Sequence, residues 1–509
     1  MDRRIRRLGI GLVALFGLLF AQLAHVQVFA ADDIKGQAAN ARRQIIAEYK
    51  VERGPILTAA PSSTVMAQSL QNEDERSELL FRRLYPDGEL YADLTGYYSR
   101  IYGRAGLEQA ANPYLSGDAP ELAISTFTDL ILGRTKKGGA VVTTIDANLQ
   151  AAAAQALGDQ PGAVVAVDPR TGDVLALYAN PSYDPNTLSN GTDGSIEDAW
   201  AAINADPDKP LVSRAKDELF LPGSTGKLIT ASAALENGFG PESEWDNPQF
   251  LDLPQSSNTL ANFGNSLCNG GSAQVTMAEA FKESCNVTFA EIGLKLGARN
   301  MSDQARAYGF CPTDPPDQIE CIEPTIPFVL PFQVGHFPVP AYFQDNKPLL
   351  AFSSIGLDNV LTNPLHMALI SAAIANGGKM MNPRLITEIR DASGRVVRTF
   401  ESEQYGIPIG PQSAAELRAM MLSVTESGTA FSAFSGFPIQ VAGKTGTATN
   451  GEDVPPNAWF TAFAPAGVND TPRIAVAVIV LDGGTLADES ATGGAIAAPI
   501  AREVIDAYL

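Results

Sequence analysis

A Ser and a Lys three residues apart form the first candidate for covalent chemistry. Ser224 and Lys227 follow a Pro-Gly break, and residues 221–235 are predicted to be helical with Ser224 in the first turn. Free backbone N–H groups in a first turn favour developing negative charge. A Ser hydroxyl becomes a nucleophile when a base with a lowered pKa, here Lys227 on the same helix face, removes its proton. Taken alone the pattern is common, and a helix cap beside a solvated Lys is the simpler interpretation.

The second candidate is Ser284-Cys285-Asn286, in the loop predicted between helices over residues 276–281 and 287–296. A Ser can relay a proton, and an Asn can hold an amide as donor and acceptor together. Capping of the second helix is the simpler interpretation, because Ser and Asn both favour that position.

The third candidate is Gly443-Lys444-Thr445-Gly446-Thr447, inside a predicted apolar strand over residues 439–448. Glycine in a strand lets a ligand approach the backbone, the Lys supplies positive charge, and the Thr hydroxyls can bind a carboxylate. A P-loop is excluded because the upstream Gly is missing at the required spacing and no helix follows.

The three motifs occur in a fixed order, with 60 residues between Ser284 and Ser224 and 160 between Lys444 and Ser284. S-x-x-K, S-D-N and K-T-G form the signature of class A β-lactamases and penicillin-binding proteins. The sequence resembles the class B penicillin-binding proteins, most of all the actinobacterial penicillin-binding protein A type, with Cys285 in place of the Asp. The resemblance covers nearly the whole chain and includes Arg53-Gly54-Pro55-Ile56, Gly106-Leu107-Glu108, Asn180-Pro181-Ser182-Tyr183-Asp184-Pro185 and Asn363-Pro364-Leu365-His366-Met367-Ala368.

The resemblance implies a role for each polar residue of the first two motifs and for Lys444. Ser224 attacks the penultimate D-Ala carbonyl of a peptidoglycan stem peptide that ends in D-Ala-D-Ala, and Lys227 is the base. Ser284 passes the proton to the leaving amine, and Asn286 holds the amide of the donor peptide. The charge of Lys444 tunes Lys227 and Ser284.

The same resemblance assigns substrate binding to Thr445, Gly446 and Thr447. The two Thr residues bind the terminal carboxylate, and the backbone N–H groups of Ser224 and Thr447 form the oxyanion hole. The amine of a second stem peptide then takes the acyl group and completes a cross-link, while β-lactams acylate the same Ser224. No cofactor and no metal ion are expected.

Other functions remain open on the sequence. A D,D-carboxypeptidase differs only in using water as the acceptor. A β-lactamase needs fast deacylation, and a β-lactam sensor needs a cytoplasmic segment longer than the seven residues before the first apolar run. A non-catalytic scaffold of the cell-wall complex would not need complete motifs.

Composition excludes several classes of protein. The chain has 509 residues, of which 45% are apolar, so it is globular rather than disordered. Its net charge of −21 argues against nucleic-acid binding, which needs clustered Lys and Arg. The charge is also uneven, since residues 1–7 carry +3 and the remainder, with 32 basic and 56 acidic residues, carries −24.

An uncharged segment follows the basic N-terminus. Residues 8–30 are long enough to cross a bilayer core of about 30 Å as a helix, and the Arg cluster orients the N-terminus to the cytoplasm. We expect a single-pass protein of the cell membrane with an extracytoplasmic catalytic domain. A signal peptide cleaved before Ala31 is the alternative.

Four Cys residues in an exported chain are compatible with disulfides. Proximity favours Cys268 with Cys285 and Cys311 with Cys321, although other pairings and free thiols stay open. Metal ligation is disfavoured because no C-x-x-C occurs.

These features together predict an α+β protein in four parts. Residues 1–7 form a cytoplasmic tip, 8–30 a transmembrane helix, 31–157 a smaller mixed α/β pedestal domain of the non-catalytic dimerisation type, and 158–509 the transpeptidase domain. The resemblance implies a central antiparallel five-stranded sheet flanked by helices in the last part. Residues 31–157 are too few for a glycosyltransferase domain, which suggests a membrane glycosyltransferase of the SEDS family as a partner.

Overall fold

The computed structural model describes residues 2–25, 48–73, 79–123, 135–315, 326–449, 454–484 and 491–509. Its first helix, α1, spans Asp2–Ala24. Among these residues, no helix is both long and apolar enough to cross a membrane. The predicted transmembrane helix over residues 8–30 lies partly outside the described residues, because α1 ends at Ala24 and residues 26–47 are not described, so it stays a prediction.

The remaining elements are numbered in chain order. The helices are α2 (Gly88–Thr95), α3 (Gly106–Ala110), α4 (Asn112–Leu115), α5 (Ala147–Leu157), α6 (Asn186–Ser189), α7 (Asp193–Ala205), α8 (Lys227–Glu236), α9 (Met277–Glu283), α10 (Asn286–Ala307), α11 (Lys347–Ser353), α12 (Pro364–Ala375), α13 (Pro411–Glu426), α14 (Phe431–Phe434) and α15 (Ala498–Tyr508). The strands are β1 (Ile56–Leu57), β2 (Val65–Gln71), β3 (Phe81–Leu84), β4 (Tyr98–Ser99), β5 (Gly103–Arg104), β6 (Ala140–Thr143), β7 (Gly162–Val167), β8 (Val174–Asn180), β9 (Glu244–Asp246), β10 (Phe250–Asp252), β11 (Thr259–Ala261), β12 (Gln274–Thr276), β13 (Cys311–Thr313), β14 (His336–Pro338), β15 (Met380–Met381), β16 (Ile386–Arg390), β17 (Val396–Thr399), β18 (Gln404–Gly406), β19 (Ala442–Ala448), β20 (Asn457–Ala464) and β21 (Ile474–Val480).

An N-terminal sheet has the strand order β17-β16-β6-β1-β2-β3. Strands β1 and β6 are parallel, whereas β16 pairs antiparallel with both β6 and β17. Two strands from the predicted transpeptidase region therefore complete this sheet, a long-range pairing that the sequence pattern did not indicate.

The central sheet has the order β19-β20-β21-β7-β8, and every neighbouring pair is antiparallel. Strands β7, β20 and β21 are buried along their whole length, which explains why they appear in the sequence as predominantly apolar segments, interrupted in β20 only by Asn457 and Thr461. Helix α12 lies against β7, β20 and β21, and α5 and α15 also pack on this sheet. Helices packed on antiparallel sheets confirm the predicted α+β class.

Helix α5, predicted to end the pedestal, instead closes the free edge of the central sheet. The buried side-chain amide of Gln150 donates to the carbonyl of Leu177 in β8 and accepts from the Leu177 N–H, both at 2.8 Å. An edge strand that is bonded in this way cannot recruit another chain.

The opposite edge of the sheet is the strand that carries the third motif, β19. A 3₁₀ turn, Gly223–Gly226, lies against β19 and leads directly into the buried helix α8. Helix α8 packs on α10, whose N-terminus follows the second motif. The fold thus brings the three motifs to one place.

Candidate active site

Ser224 lies in the 3₁₀ turn rather than in the helix predicted for it, since α8 begins only at Lys227. The turn packs so closely on β19 that it depends on glycine. Gly223 has φ +52°, and a Cβ there would come within 2.4 Å of the carbonyl oxygen of Thr447. A Cβ on Gly226 would lie 2.7 Å from the Cα of Gly356. These contacts keep Ser224 partly exposed beside the buried Lys227.

Lys227 is fully buried, and its amine contacts groups from both neighbouring motifs. Nζ lies 3.0 Å from Ser224 Oγ, 2.7 Å from the Ser284 carbonyl oxygen and 2.8 Å from Asn286 Oδ1. The carbonyl and Oδ1 can only accept hydrogen bonds, so a neutral amine donates its two hydrogens to them. Its lone pair is then left for the proton of the Ser224 hydroxyl.

Electrostatics favour that neutral amine. Burial lowers the pKa of Lys227 well below its usual 10.5, and the charge of Lys444 lowers it further. No carboxylate in the described part of the chain pairs with either lysine, so nothing restores the charged form. A lysine in this state can act as a base near neutral pH.

Ser284 ends helix α9 in the left-handed conformation, with φ +64° and ψ +40°. This costs a residue with a Cβ on the order of 1 kcal/mol, but it turns the carbonyl and hydroxyl of Ser284 toward Lys227. A capping box of Thr276 and Glu279 fixes the start of α9, and Asn262 Oδ1 accepts from the Val287 N–H at the start of α10. The loop between the predicted helices is confirmed.

A disulfide joins Cys285, inside the second motif, to Cys268 on the loop after β11, with a Cα–Cα distance of 6.2 Å. The predicted pairing of these two residues is confirmed. Cys311 is also disulfide-bonded, whereas its predicted partner Cys321 lies outside the described residues.

Lys444 is the second buried lysine of the site. Its Nζ donates to Ser284 Oγ at 2.8 Å and to the Thr445 carbonyl at 2.9 Å. Burial lowers its pKa to about 7. Because the lysine occupies an acceptor position of Ser284 Oγ, the Ser284 proton is free to point into the cleft.

The backbone of β19 also faces the cleft. The Thr447 carbonyl points at Gly223 rather than at β20. In an antiparallel strand the N–H and C=O of one residue point to the same side, so the Thr447 N–H is directed toward the Ser224 turn as well. Gly446 lies beside the Pro222 carbonyl, where a Cβ would come within 2.8 Å.

These groups line a cleft of about 320 Å³. The predicted residues Ser224, Ser284, Asn286, Thr445, Gly446 and Thr447 all border it. Lys227 and Lys444 lie beneath the cleft surface, where Lys227 contacts Ser224 and Lys444 contacts Ser284.

The arrangement is a buried neutral base in contact with a serine hydroxyl, next to a directed backbone N–H, which suits acyl transfer. The chain matches the family model described as the penicillin binding protein transpeptidase domain over residues 162–506. The chain belongs to the penicillin-binding protein family. Residues 53–141 match a second model, the penicillin binding protein A dimerisation domain.

Similar proteins support the same assignment for this penicillin-binding protein. It is 37% identical over 517 residues to peptidoglycan D,D-transpeptidase PbpA of Mycolicibacterium smegmatis, which covers 100% of this chain and 99% of the relative. The ceftriaxone acyl-enzyme of penicillin-binding protein A from Mycobacterium tuberculosis superposes with a TM-score of 0.81, at 36% identity, over 91% of this chain and 100% of that one. The penicillin G acyl-enzyme of the same protein superposes with a TM-score of 0.79, at 36% identity, over 90% of this chain and 99% of that one.

Sequence reasoning missed several cleft residues of this penicillin-binding protein. Thr429, Phe263, Leu267 and Gly493 border the cleft from loops that no motif marks. Gly493 lies so close to Gly446 that a Cβ on Gly493 would come within 2.5 Å of the Gly446 carbonyl oxygen. Only the fold brings these loops to β19, so no local pattern could have indicated them.

Proposed function

We propose that this penicillin-binding protein is a serine D,D-transpeptidase that cross-links peptidoglycan stem peptides through an acyl-enzyme on Ser224. The observation that carries the proposal is the 3.0 Å contact between Ser224 Oγ and the amine of Lys227, a buried base without a carboxylate partner among the described residues. The names and acyl-enzyme structures of the relatives agree with it.

Acylation begins when Ser224 Oγ attacks the penultimate D-Ala carbonyl and Lys227 accepts its proton. The proton then passes to Ser284, whose hydroxyl lies 3.3 Å from Lys227 Nζ, and on to the leaving nitrogen. The C–N bond breaks, D-Ala leaves as an amine, and an ester to Ser224 remains. Lys444 keeps Ser284 oriented by its 2.8 Å bond.

The tetrahedral intermediate carries an oxyanion, which the backbone N–H groups of Ser224 and Thr447 stabilise. One such donor contributes roughly 3–4 kcal/mol. Asn286 holds the amide of the donor peptide, while Thr445 and Thr447, with Gly446 allowing close approach, bind the terminal carboxylate.

The amine of a second stem peptide then attacks the ester. Its nitrogen forms the new amide, Ser224 regains its proton, and the two peptides are cross-linked. β-Lactams follow the first half of this path, but their leaving nitrogen stays attached to the opened ring, so acceptor attack is hindered.

Labelling with fluorescent penicillin tests the proposal. The full-length chain should become covalently labelled, and Ser224→Ala should not, although it should melt at the same temperature. Label on Ser224→Ala would refute the assignment. Incubation with a D-Ala-D-Ala stem peptide and an amine acceptor should give the cross-linked product, and exclusive hydrolysis would identify a carboxypeptidase instead.

We also propose the predicted membrane location and division of the chain. Residues 8–30 anchor the protein in the cell membrane and residues 1–7 are cytoplasmic. Residues 31–157 form the non-catalytic domain, except that α5 packs on the catalytic sheet, and residues 158–509 form the extracytoplasmic catalytic domain, whose strands β16 and β17 complete the N-terminal sheet. Support comes from the basic residues before an uncharged segment and from the Cys268–Cys285 disulfide, which fits an oxidising compartment. Protease added to intact spheroplasts should degrade the catalytic domain, and its protection would contradict this location.

A membrane glycosyltransferase of the SEDS family is the proposed partner, because residues 53–141, which precede the transpeptidase match over residues 162–506, match a dimerisation domain rather than a glycosyltransferase domain. Such an enzyme should co-purify with the full-length protein from native membranes. Its absence from the purified complex would count against the partnership.

A further inference from the structure

We propose that Thr429, on the loop after α13, binds the terminal carboxylate of the substrate together with Thr445. The inference rests on the proposed function, since it concerns the same acyl-transfer site. It adds a binding residue from outside the three motifs and defines how the cleft recognises a negative charge.

The first support is the geometry of the two hydroxyls. Thr429 Oγ1 lies 2.6 Å from Thr445 Oγ1, and both residues border the cleft. Thr445 is only 6% exposed, whereas Thr429 is exposed. A ligand that enters from solvent therefore meets the Thr429 hydroxyl first.

The number of protons on the two hydroxyls indicates which way the Thr429 proton points. Each hydroxyl has one proton, and at 2.6 Å one of the two protons lies between the oxygens. If Thr445 donates to Thr429, the Thr429 proton points outward to the cleft. A carboxylate that accepts this proton strengthens both bonds, because the hydroxyls polarise one another.

The second support is the chemistry of the rest of the cleft. Among the described residues that line it there is no arginine, the side chain best suited to bind a carboxylate in two places. The buried lysines are directed to Ser284, Asn286 and the Thr445 carbonyl. Recognition of the carboxylate consequently depends on hydroxyl and backbone donors.

The third support is that Thr429 is held in place by the catalytic elements. Its N–H donates to the Lys282 carbonyl at 3.4 Å, two residues before Ser284. Gly428 packs against the same carbonyl, which a Cβ on Gly428 would approach to 2.6 Å. Gly494 packs against the Thr429 carbonyl, which a Cβ on Gly494 would approach to 2.2 Å. The loop is therefore fixed to the end of α9 and to the segment before α15.

Two thioester donors provide the test. Both carry the N-benzoyl-D-alanyl group, but one has mercaptoacetic acid as its leaving group, with a carboxylate at the position of the terminal one, and the other has the neutral mercaptoacetamide. Thr429→Val should lower the acylation rate constant of the full-length protein with the charged donor by about tenfold or more, as expected for a hydrogen bond to a charged group. The rate with the neutral donor should change less than twofold.

Control variants separate this role from a structural one. Thr429→Ser keeps the hydroxyl and should retain the preference for the charged donor, and Ser427→Ala, an exposed hydroxyl two residues away, should match the wild type. In the double variant Thr429→Val with Thr445→Val, the two losses should not add, because the hydroxyls act as one unit.

Equal slowing of both donors by Thr429→Val, or failure of Thr429→Ser to retain the preference, would overturn the proposal. With either outcome, labelling of the wild type by penicillin would still depend on Ser224, so the proposed function would stand. Loss of Ser224 dependence would instead refute the proposed function itself.

Discussion

The N-terminal sheet region and the active site both bury charged side chains, but they treat the charge in opposite ways. Glu108 is fully buried and lies 2.6 Å from the Nε atoms of both Arg53 and Arg83. Burial alone would raise the pKa of Glu108, but the two guanidinium groups outweigh it and lower the pKa. Lys227 and Lys444 are equally buried, have only neutral partners in the described chain, and have lowered pKa values.

The difference shows how one chain uses burial for two purposes. A buried carboxylate between two arginines stays ionised and joins β3, α3 and the segment before β1. A buried amine without a counter-ion loses its proton and becomes a base. Pairing therefore favours a fixed geometry, whereas the absence of pairing favours reactivity.

The largest expected effect comes from removing the base. Lys227→Met should lower the rate constant of acylation by penicillin about 10²- to 10⁴-fold, the usual contribution of a general base. The free energy of unfolding should change by less than about 2 kcal/mol, because relief of the buried amine offsets the lost hydrogen bonds. Stopped-flow acylation and denaturant titration measure the two quantities.

The exposed Lys379→Met is the control for Lys227→Met and should behave as the wild type in both measurements. A Lys227→Met variant that acylates at more than a tenth of the wild-type rate would mean that another group takes the proton.

Removing the paired carboxylate should lower stability and leave the acylation rate unchanged, the reverse of the Lys227→Met result. Glu108→Gln leaves the buried guanidinium of Arg83 without its counter-ion and that of Arg53 with only Glu48, at 3.6 Å, and should lower the free energy of unfolding by about 3–5 kcal/mol. The folded protein should still acylate at the wild-type rate, because the cluster does not border the cleft. Denaturant titration and acylation under native conditions separate these effects.

Glu121 gives the matched control, since its ion pair with Arg398 at 2.7 Å is partly exposed. Glu121→Gln should change stability little. If Glu108→Gln were as stable as Glu121→Gln, the buried pairing would not be what holds this region.

Local patterns in the sequence predicted much of the catalytic half. The apolar runs that became β20 and β21 have no polar face, which is typical of strands buried on both sides. The three motifs were found because each is short and its chemistry depends on neighbouring residues. Ser224 was misplaced by one turn, because the 3₁₀ geometry depends on its contact with β19 rather than on local preference.

The remaining features depend on contacts between distant parts of the chain. Glu388 of β16 pairs with Val142 of β6, far away in the sequence, and neither strand indicates the other. The meeting of Thr429 with Thr445 has the same origin. Burial of the lysines is also a property of the whole fold, so the first motif could suggest a lowered pKa for Lys227 but could not show that either lysine is buried.

A third expected effect concerns the Cys268–Cys285 disulfide next to Ser284, a covalent bond where Glu108 is held by ion pairs. Replacing Cys268 and Cys285 together by Ala should lower the free energy of unfolding by about 3 kcal/mol, as expected for a bridge closing a loop of 17 residues. Acylation should slow on the order of tenfold, because a small displacement of Ser284 from Lys227 weakens proton transfer. Reductant should slow the wild type similarly.

The double Ala variant is also the control for the reductant, because reduction should have no further effect on its acylation rate. Equal acylation rates of the wild type with and without reductant would show that the bridge does not position the second motif.

The smallest expected effect is the pH dependence of stability, which should have the same sign in the two regions but fall in different pH ranges. Lys444 has a pKa of about 7 when folded and 10.5 when free. Below pH 7 both states hold the proton and the full cost of burying the cation is present. Between these values only the unfolded chain holds it, so the free energy of unfolding rises with pH by at most about 1.4 kcal/mol per unit.

Lys444→Met lacks this dependence, so its stability advantage over the wild type should shrink as the pH rises from 7 to 9. The lowered pKa of Glu108 has the same sign but acts in acid: its contribution is present above the usual pKa of 4.5 and is lost as the pH falls through the lowered value. The deficit of Glu108→Gln should thus be largest near neutrality and shrink in acid. Denaturant titrations of both variants from acid to pH 9 would measure the two trends. A Glu108→Gln deficit that changed between pH 7 and 9, or a Lys444→Met advantage that stayed constant there, would show that the regions do not differ in how they hold charge.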